Sequence, residues 1–164
     1  REIRAPIDFV GLNYYTRAVL AYAPGEGPLH ARQVRQASSH TLMGWEVYPE
    51  GLYEILLWIH RAYGGPAVYI TENGAAYEDQ VVNGTVADDA RLDYLRAHLA
   101  QIPQALRAGV NVRGYFVWSL LDNFQWSQGY SRRFGIVHVD FATQRRTVKK
   151  SGLWYRDAIA QNGF

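Results

Sequence analysis

The chain has 164 residues, 48% of them hydrophobic and 14% aromatic, enough for one globular domain with a sizeable core. Its 17 lysines and arginines nearly balance 15 aspartates and glutamates without a long cationic block, which argues against a nucleic-acid partner. The absence of cysteine excludes disulfides, thiol nucleophiles and thiolate metal sites, and is compatible with a cytoplasmic location. We also expect no metal, because no H-E-x-x-H spacing occurs, and no membrane partner, because the apolar stretches are too short.

Three apolar segments predict strands at residues 7–16, 67–72 and 112–120, because each is rich in β-branched and aromatic residues. An irregular loop, 22–47, separates the first strand from a helix that begins near Pro49. The later helices begin near Asp88 and Asp89, as capping candidates, and near Ser151. Pro103 inside the middle helix predicts a kink near Leu99.

Simple patterns also separate expected core from expected surface. One apolar stripe on the middle helix comprises Leu92, Leu95, Leu99, Ile102 and Leu106. The spacing of Trp58 and Trp154 is helical and predicts that both are core residues. The basic pairs 132–133 and 149–150 are expected to be solvated surface.

Strands joined by helical crossovers must lie parallel, so their carboxyl ends share one face of the sheet, where α/β folds place ligand chemistry. The residues there are Asn13, Tyr14 and Tyr15 after the first strand, Glu72 and Asn73 after the second, and Trp118 after the third, with Asp122, Gln125 and Trp126 in the loop beyond. One carboxylate, Glu72, is thus surrounded by amides, phenols and indoles.

This set of side chains suits a sugar, since aromatic faces stack on pyranose C–H surfaces while amides and carboxylates bind hydroxyls. No phosphate-binding glycine motif and no G-x-S-x-G elbow is present, which leaves Glu72 as the nucleophile or base candidate. A glycosidase also needs an acid, about 5 to 5.5 Å from the nucleophile for retention or about 6.5 to 9.5 Å for inversion.

Five ordered motifs resemble one enzyme family. They are GLNYYT at 11–16, GWEVYPEGLY at 44–53, ITENG at 70–74, GYFVWSLLDNFQW at 114–126 and GYSRRFGIVHVDF at 129–141. They resemble the family 1 glycoside hydrolases, the β-glucosidase family, over nearly the whole chain. The resemblance implies an α/β fold, a (β/α)8 barrel, of which residues 1–164 would form approximately the last three strand-helix units. It also implies retaining hydrolysis of β-glycosides through a covalent glycosyl-enzyme, without a metal or organic cofactor.

The resemblance assigns roles to individual residues. It implies that Glu72 is the nucleophile and that Tyr15 donates a hydrogen bond that orients it. The residues implied to bind substrate are Asn13, Trp45 at the aglycone entrance, Trp118 under the sugar, Gln125 and Trp126 on its outer hydroxyls, and Phe134 at its side.

Two departures from the family pattern affect this interpretation. The acid/base glutamate of the family lies in an Asn-Glu-Pro motif, and no such tripeptide occurs in the chain. We therefore expect a C-terminal fragment whose barrel is completed by an N-terminal portion as a second chain or by self-association. At position 125 the family usually has Glu; because Gln125 lacks the charge, sugar preference is open.

Two alternatives stay open at the level of the sequence. The chain could be a non-catalytic sugar-binding module that uses its aromatic platform without an acid. It could also be a structural fragment whose barrel edge associates with its own copies. The natural aglycone, the oligomeric state and the origin of the fragment, whether proteolytic, engineered or separately expressed, are likewise open.

Overall fold

The computed structural model describes residues 5–163. The strands are β1 (Val10–Asn13), β2 (Leu20–Tyr22), β3 (Ala31–Gln33), β4 (Val68–Asn73), β5 (Val112–Val117), β6 (Val137–Val139) and β7 (Arg146–Val148). The helices are α1 (Glu50–Ala62), α2 (Asp89–Leu99), α3 (Gln101–Arg107) and α4 (Lys150–Gln161), and a 3₁₀ turn spans Trp126–Gln128.

The central sheet has three strands in the order β1, β4, β5, and both pairings are parallel. This confirms the predicted parallel arrangement, with all three carboxyl ends at one edge. The first and third strands are shorter than predicted, since regular pairing stops at Asn13 and Val117. The sheet register shifts next to Asn13 on β1 and, on β4, both between Val68 and Tyr69 and between Ile70 and Asn73. The shifts next to Asn13 and Asn73 fall at the carboxyl ends of the strands, where the candidate site begins.

One face of the sheet is covered by helices. Leu52 and Leu56 of α1 are fully buried against Val68 and Ile70 of β4. Full burial of such a side chain contributes about 1.5 to 3 kcal/mol, so this contact is a main source of stability. A second cluster places Tyr94 and other α2 residues against α4 and the β6 region.

The helix containing Pro103 is interrupted, as predicted, because α2 ends at Leu99 and α3 starts at Gln101. The predicted apolar stripe is only partly right, since Leu106 is 50% exposed. On the buried face of α2, Leu92 and Leu95 are joined by polar side chains, among them Arg91 and His98. The helix is held by specific polar contacts as well as by leucine packing.

The predictions of local environment were right for Trp154 and wrong for Trp58. Trp58 is 53% exposed because it lies on the outer side of α1, where its ring contacts Tyr63. Trp154 does pack against the α2–α4 cluster. The loop 22–47, predicted to be irregular, contains one strand of the hairpin formed by β2 and β3. Short hairpin strands give little periodic signal.

The other face of the central sheet is largely uncovered. The rings of Phe9 and Tyr69 meet edge to face there, with centroids 5.1 Å apart. Phe116 lies nearby on β5 and is 55% exposed. An aromatic sheet face is thus open to solvent. No helix within residues 5–163 is long and apolar enough to span a membrane.

Candidate active site

Glu72 lies at the end of β4, where it receives a hydrogen bond from the phenol of Tyr15. The distance from Tyr15 Oη to Glu72 Oε2 is 2.6 Å. Within residues 5–163, no hydrogen bond engages Glu72 Oε1, so one carboxylate oxygen is fixed and the other is unengaged. Burial, followed by the hydrogen bond to Glu72, raises the pKa of Tyr15 well above its usual range, so the phenol remains a proton donor at neutral pH.

Two aromatic rings, those of Trp45 and Phe134, lie beside this pair. The ring of Trp45 lies 5.4 Å from that of Tyr15 and 6.0 Å from that of Phe134. Phe134 is buried and meets Tyr15 edge to face at 6.3 Å. The structure therefore brings four predicted site residues together, although they come from four separate parts of the sequence.

The position of Trp45 is fixed by contacts of its neighbour, Glu46. Arg17 forms a two-point ion pair with the Glu46 carboxylate, at 2.9 and 3.1 Å, and Thr16 Oγ1 donates to the Glu46 carbonyl at 2.8 Å. These contacts tie the loop that carries Trp45 to the segment just after Tyr15. The sequence did not predict this ion pair, because Arg17 and Glu46 lie 29 residues apart.

The other predicted substrate-binding residues lie around the same strand ends. Asn13 is exposed at the end of β1, and its Oδ1 accepts a hydrogen bond from Thr71 at 2.7 Å. Trp118 follows β5 and is half-buried. Trp126 is 85% exposed, whereas Gln125 is buried and its Nε2 donates to Asn123 Oδ1 at 2.5 Å. Among residues 5–163, no hydrogen bond or ring contact links Gln125 or Trp126 to the Glu72 cluster.

Three residues expected at the pocket have other roles. Tyr14 is buried and its phenol donates to the Tyr48 carbonyl at 2.6 Å, because alternate side chains of a strand face opposite ways. Asp122 is buried in an ion pair with Lys149. Asn73 is fully buried behind the strand ends. None of the three faces the candidate site.

Asn73 anchors the nucleophile strand instead. Its Nδ2 donates to the Tyr14 carbonyl at 2.7 Å and to Tyr94 Oη at 3.1 Å, and its Oδ1 accepts from Tyr115 at 2.7 Å. Tyr94 Oη in turn donates to the Tyr15 carbonyl at 3.0 Å. Glu72 and Tyr15 are thus each held through a buried polar neighbour. Sequence reasoning missed Tyr94, which is not a member of the predicted apolar stripe although it lies between two of its residues, Leu92 and Leu95.

Gly74 allows β4 to end against Trp118. A β-carbon at position 74 would lie 1.9 Å from the Trp118 carbonyl oxygen, so a side chain cannot fit there. The Trp118 amide also donates to the Asn73 carbonyl at 2.8 Å. The glycine after the carboxylate therefore brings the third strand close to Glu72.

The candidate site is centred on the carboxylate of Glu72. Within the residues described, no group of three or more His, Asp or Glu side chains is arranged to hold a metal ion. Glu72 is the carboxylate at the centre of the aromatic cluster, next to a phenol donor. A carboxylate in this setting can act as a nucleophile or a base.

Comparison with known proteins decides the family. The model of glycosyl hydrolase family 1 matches residues 1–164. The chain belongs to glycosyl hydrolase family 1. Beta-glucosidase A of Thermotoga maritima is 52% identical over 164 residues, which are 99% of this chain and 36% of that protein. A 6-phospho-beta-galactosidase of Streptococcus equi subsp. zooepidemicus is 40% identical over 172 residues, covering 93% of this chain and 37% of its own length.

The solved structures agree with this assignment to family 1. The family 1 b-glucosidase from Thermotoga maritima superimposes with a TM-score of 0.96 at 51% identity, covering 99% of this chain and 37% of that one. The same enzyme in complex with methoxycarbonyl-substituted glucoimidazole gives a TM-score of 0.95. The architecture is therefore part of a (β/α)8 barrel, as the motifs implied. The chain spans little more than a third of the length of these relatives.

Proposed function

We propose that this family 1 chain supplies the nucleophile side of a retaining β-glycosidase site. Glu72 attacks the anomeric carbon of a β-glycoside and forms a covalent glycosyl-enzyme, which water then hydrolyses. The observation that carries the proposal is the 2.6 Å hydrogen bond from Tyr15 to one oxygen of Glu72, at the strand ends and beside aromatic rings. The likeness to β-glucosidases supports the same reaction class.

The acid that protonates the leaving oxygen comes from outside these 164 residues. It lies on an N-terminal portion of the barrel, present as a second chain or contributed by self-association. We call the chain together with the portion that completes the strands the assembled barrel. Its substrates are β-glycosides, whose sugar ring would lie on Trp118 and whose outer hydroxyls would meet Gln125 and Trp126.

The roles of the substrate-binding residues follow from their positions. Trp45 and Phe134 would border the sugar beside Tyr15, since their rings already contact each other. Asn13, exposed at the end of β1, offers an amide to a hydroxyl. Gln125 can accept or donate a hydrogen bond but carries no charge, so it would bind the outer hydroxyls less tightly than a carboxylate.

The replacement Glu72→Gln tests the nucleophile in the assembled barrel. We expect the turnover of an aryl β-glucoside to fall by at least about a thousandfold, because an amide cannot form the ester intermediate. Sugar binding should be largely retained, since the side chain keeps its size. Glu78→Gln, at an exposed position in the following loop, is the matched control and should keep full activity. Turnover near the unmodified rate in Glu72→Gln would refute the assignment.

A second variant separates a nucleophile from other roles. Glu72→Ala opens space on the attacked face of the sugar, so added azide should restore cleavage of an activated aryl glucoside. The expected product is the α-glucosyl azide, because a single displacement inverts the anomeric carbon. A β-configured product, or no rescue, would contradict the proposal. Sugar binding without turnover under every condition would instead favour a non-catalytic binding module.

A further inference from the structure

Six charged side chains form a balanced buried network beneath the candidate site. The cations are Arg91, Arg133 and Lys149, and the anions are Asp79, Asp88 and Asp122. Five of these side chains are at most 1% exposed, and Arg133 is 23% exposed. Burying charges costs free energy that only close pairing offsets, so a gain in stability does not by itself explain this network.

Asp122 lies at the base of the loop formed by residues 119–134, which carries Gln125 and Trp126. The loop is closed by a hydrogen bond from the Ser119 amide to the Phe134 carbonyl at 3.2 Å. The Asp122 carboxylate then accepts from the Gly135 amide at 3.0 Å and from Arg133 at 2.6 Å. Asp122 is thus hydrogen-bonded to both residues that flank the closing contact, Arg133 on one side of Phe134 and Gly135 on the other.

Lys149 connects this loop base to the segment that follows Glu72. Its Nζ donates to Asp122 Oδ1 at 2.8 Å and to Asp79 Oδ2 at 2.6 Å. Asp79 is held by two parallel bonds from Arg91, each 2.9 Å, and Arg91 Nε donates to the Ala75 carbonyl at 3.1 Å. Ala75 is three residues beyond Glu72. A continuous chain of charge-assisted bonds thus links the segment just after Glu72 to loop 119–134.

We propose that Lys149 is a positioning residue that, through Asp122, holds loop 119–134 in place relative to Glu72. The inference rests on the proposed function, because it assigns the loop to binding of the outer sugar hydroxyls. Lys149 corrects the expectation from sequence, which placed both lysines of the pair at the surface. Its neighbour Lys150 is 53% exposed and pairs with Asp89 on the outside of the molecule.

The charge state of the network agrees with this role. Burial would raise the pKa of Asp122, but Lys149 and Arg133 outweigh it and hold that pKa below its usual range. Burial, with a further contribution from Arg91, lowers the pKa of Lys149, whereas Asp79 and Asp122 favour its charged form. The carboxylate at the loop base is ionised and fully engaged.

The replacement Lys149→Met tests the proposal in the assembled barrel, because methionine fills the space without the charge. Two aryl substrates are compared, a β-glucoside and a β-xyloside that lacks the outer hydroxymethyl group. We expect kcat/KM for the glucoside to fall by roughly 10- to 100-fold, as for other small displacements of binding groups. The xyloside should lose much less, so the glucoside-to-xyloside ratio falls. A loss of folded protein alone would lower both equally.

Amide hydrogen exchange provides a readout that does not depend on turnover. Lys149→Met should speed exchange in residues 123–133 more than in α1. Lys150→Met is the matched control and should change neither the ratio nor the exchange. If Lys149→Met does not fold, Arg133→Met replaces it in both experiments, because the partly exposed Arg133 side chain contacts the same Asp122 carboxylate. It should give the same changes in smaller measure.

Two results would overturn the proposal. One is a glucoside-to-xyloside ratio that stays constant in Lys149→Met, or in Arg133→Met where that variant replaces it. The other is amide exchange in residues 123–133 that rises only as much as exchange in α1. If the unmodified assembled barrel hydrolyses neither substrate, the proposed function fails, and the exchange comparison alone then supports or overturns the positioning role.

Discussion

The hydrogen bond between Tyr15 and Glu72 is the central contact at the scale of single residues. The phenol remains protonated and donates a hydrogen bond to Glu72 Oε2, whereas Oε1 accepts none within residues 5–163. Asn73 and Tyr94 hold the backbone on either side of this contact. The orientation of the proposed nucleophile therefore depends on residues that do not touch a sugar.

Tyr15→Phe should keep the ring and remove only the donated hydrogen bond. A hydrogen bond to a charged group contributes about 1.5 to 3 kcal/mol, which corresponds to roughly 10- to 100-fold in kcat of the assembled barrel. The control is Tyr22→Phe, on a side chain of β2 that is 79% exposed. Steady-state kinetics with an aryl β-glucoside would measure both variants. An unchanged kcat in Tyr15→Phe would show that the phenol does not orient Glu72.

At the scale of secondary-structure elements, α2 contains an unusual buried histidine. His98 is fully buried, its Nδ1 lies 2.8 Å from the Tyr94 carbonyl, and its ring stacks on Tyr94 at 3.9 Å. Its Nε2 has no hydrogen-bond partner among residues 5–163. Burial lowers the pKa of His98 to about 4, so the folded state holds this ring neutral.

This histidine makes stability depend on pH. Between about pH 6.5 and pH 4 the unfolded chain binds a proton at His98 that the folded chain does not, so stability falls as the pH falls through this window. The loss is on the order of 3 kcal/mol at pH 4. Urea midpoints of the assembled barrel should show a shallower acid slope in His98→Gln. The exposed control His30→Asn should keep the original slope, and equal slopes in all three proteins would contradict this account.

The elements also show what a single sequence can and cannot predict. The strand around Glu72 and the break before Pro103 were predictable, because apolar runs and proline act through local chemistry. The roles of Lys149 and Asp122 were not, since a lysine in a polar pair has the sequence signature of a surface residue. Their burial follows only from partners that lie far away in the chain. Motif resemblance predicted the Tyr15–Glu72 pair, and the geometry of Asn73 was visible only in the structure.

At the scale of the whole molecule, the uncovered sheet face is the main structural feature. Phe9, Tyr69 and Phe116 present aromatic surface on the side of the sheet away from the helices. Exposed apolar surface of this kind favours association. We expect native mass spectrometry to find the 18.7 kDa chain bound to a second polypeptide or to its own copies. A lone chain at all concentrations would contradict this expectation.

Two matched variants locate the contact surface. Phe116→Ser should weaken the association, because it removes a ring from the open sheet face. Phe124→Ser is the control, since that ring is 58% exposed but lies in loop 119–134. Equal effects of the two replacements would show that the sheet face is not the surface that associates.

The most direct test of the central claim is to trap the covalent intermediate in the assembled barrel. A 2-fluoro-glucoside with a good leaving group slows both steps, and its faster first step lets the glycosyl-enzyme accumulate. Peptide mass spectrometry should then find one fluoroglucosyl group on the peptide that contains Glu72, and none in Glu72→Gln. A label on a different residue, or hydrolysis without any covalent adduct, would contradict the assignment of Glu72 as the nucleophile.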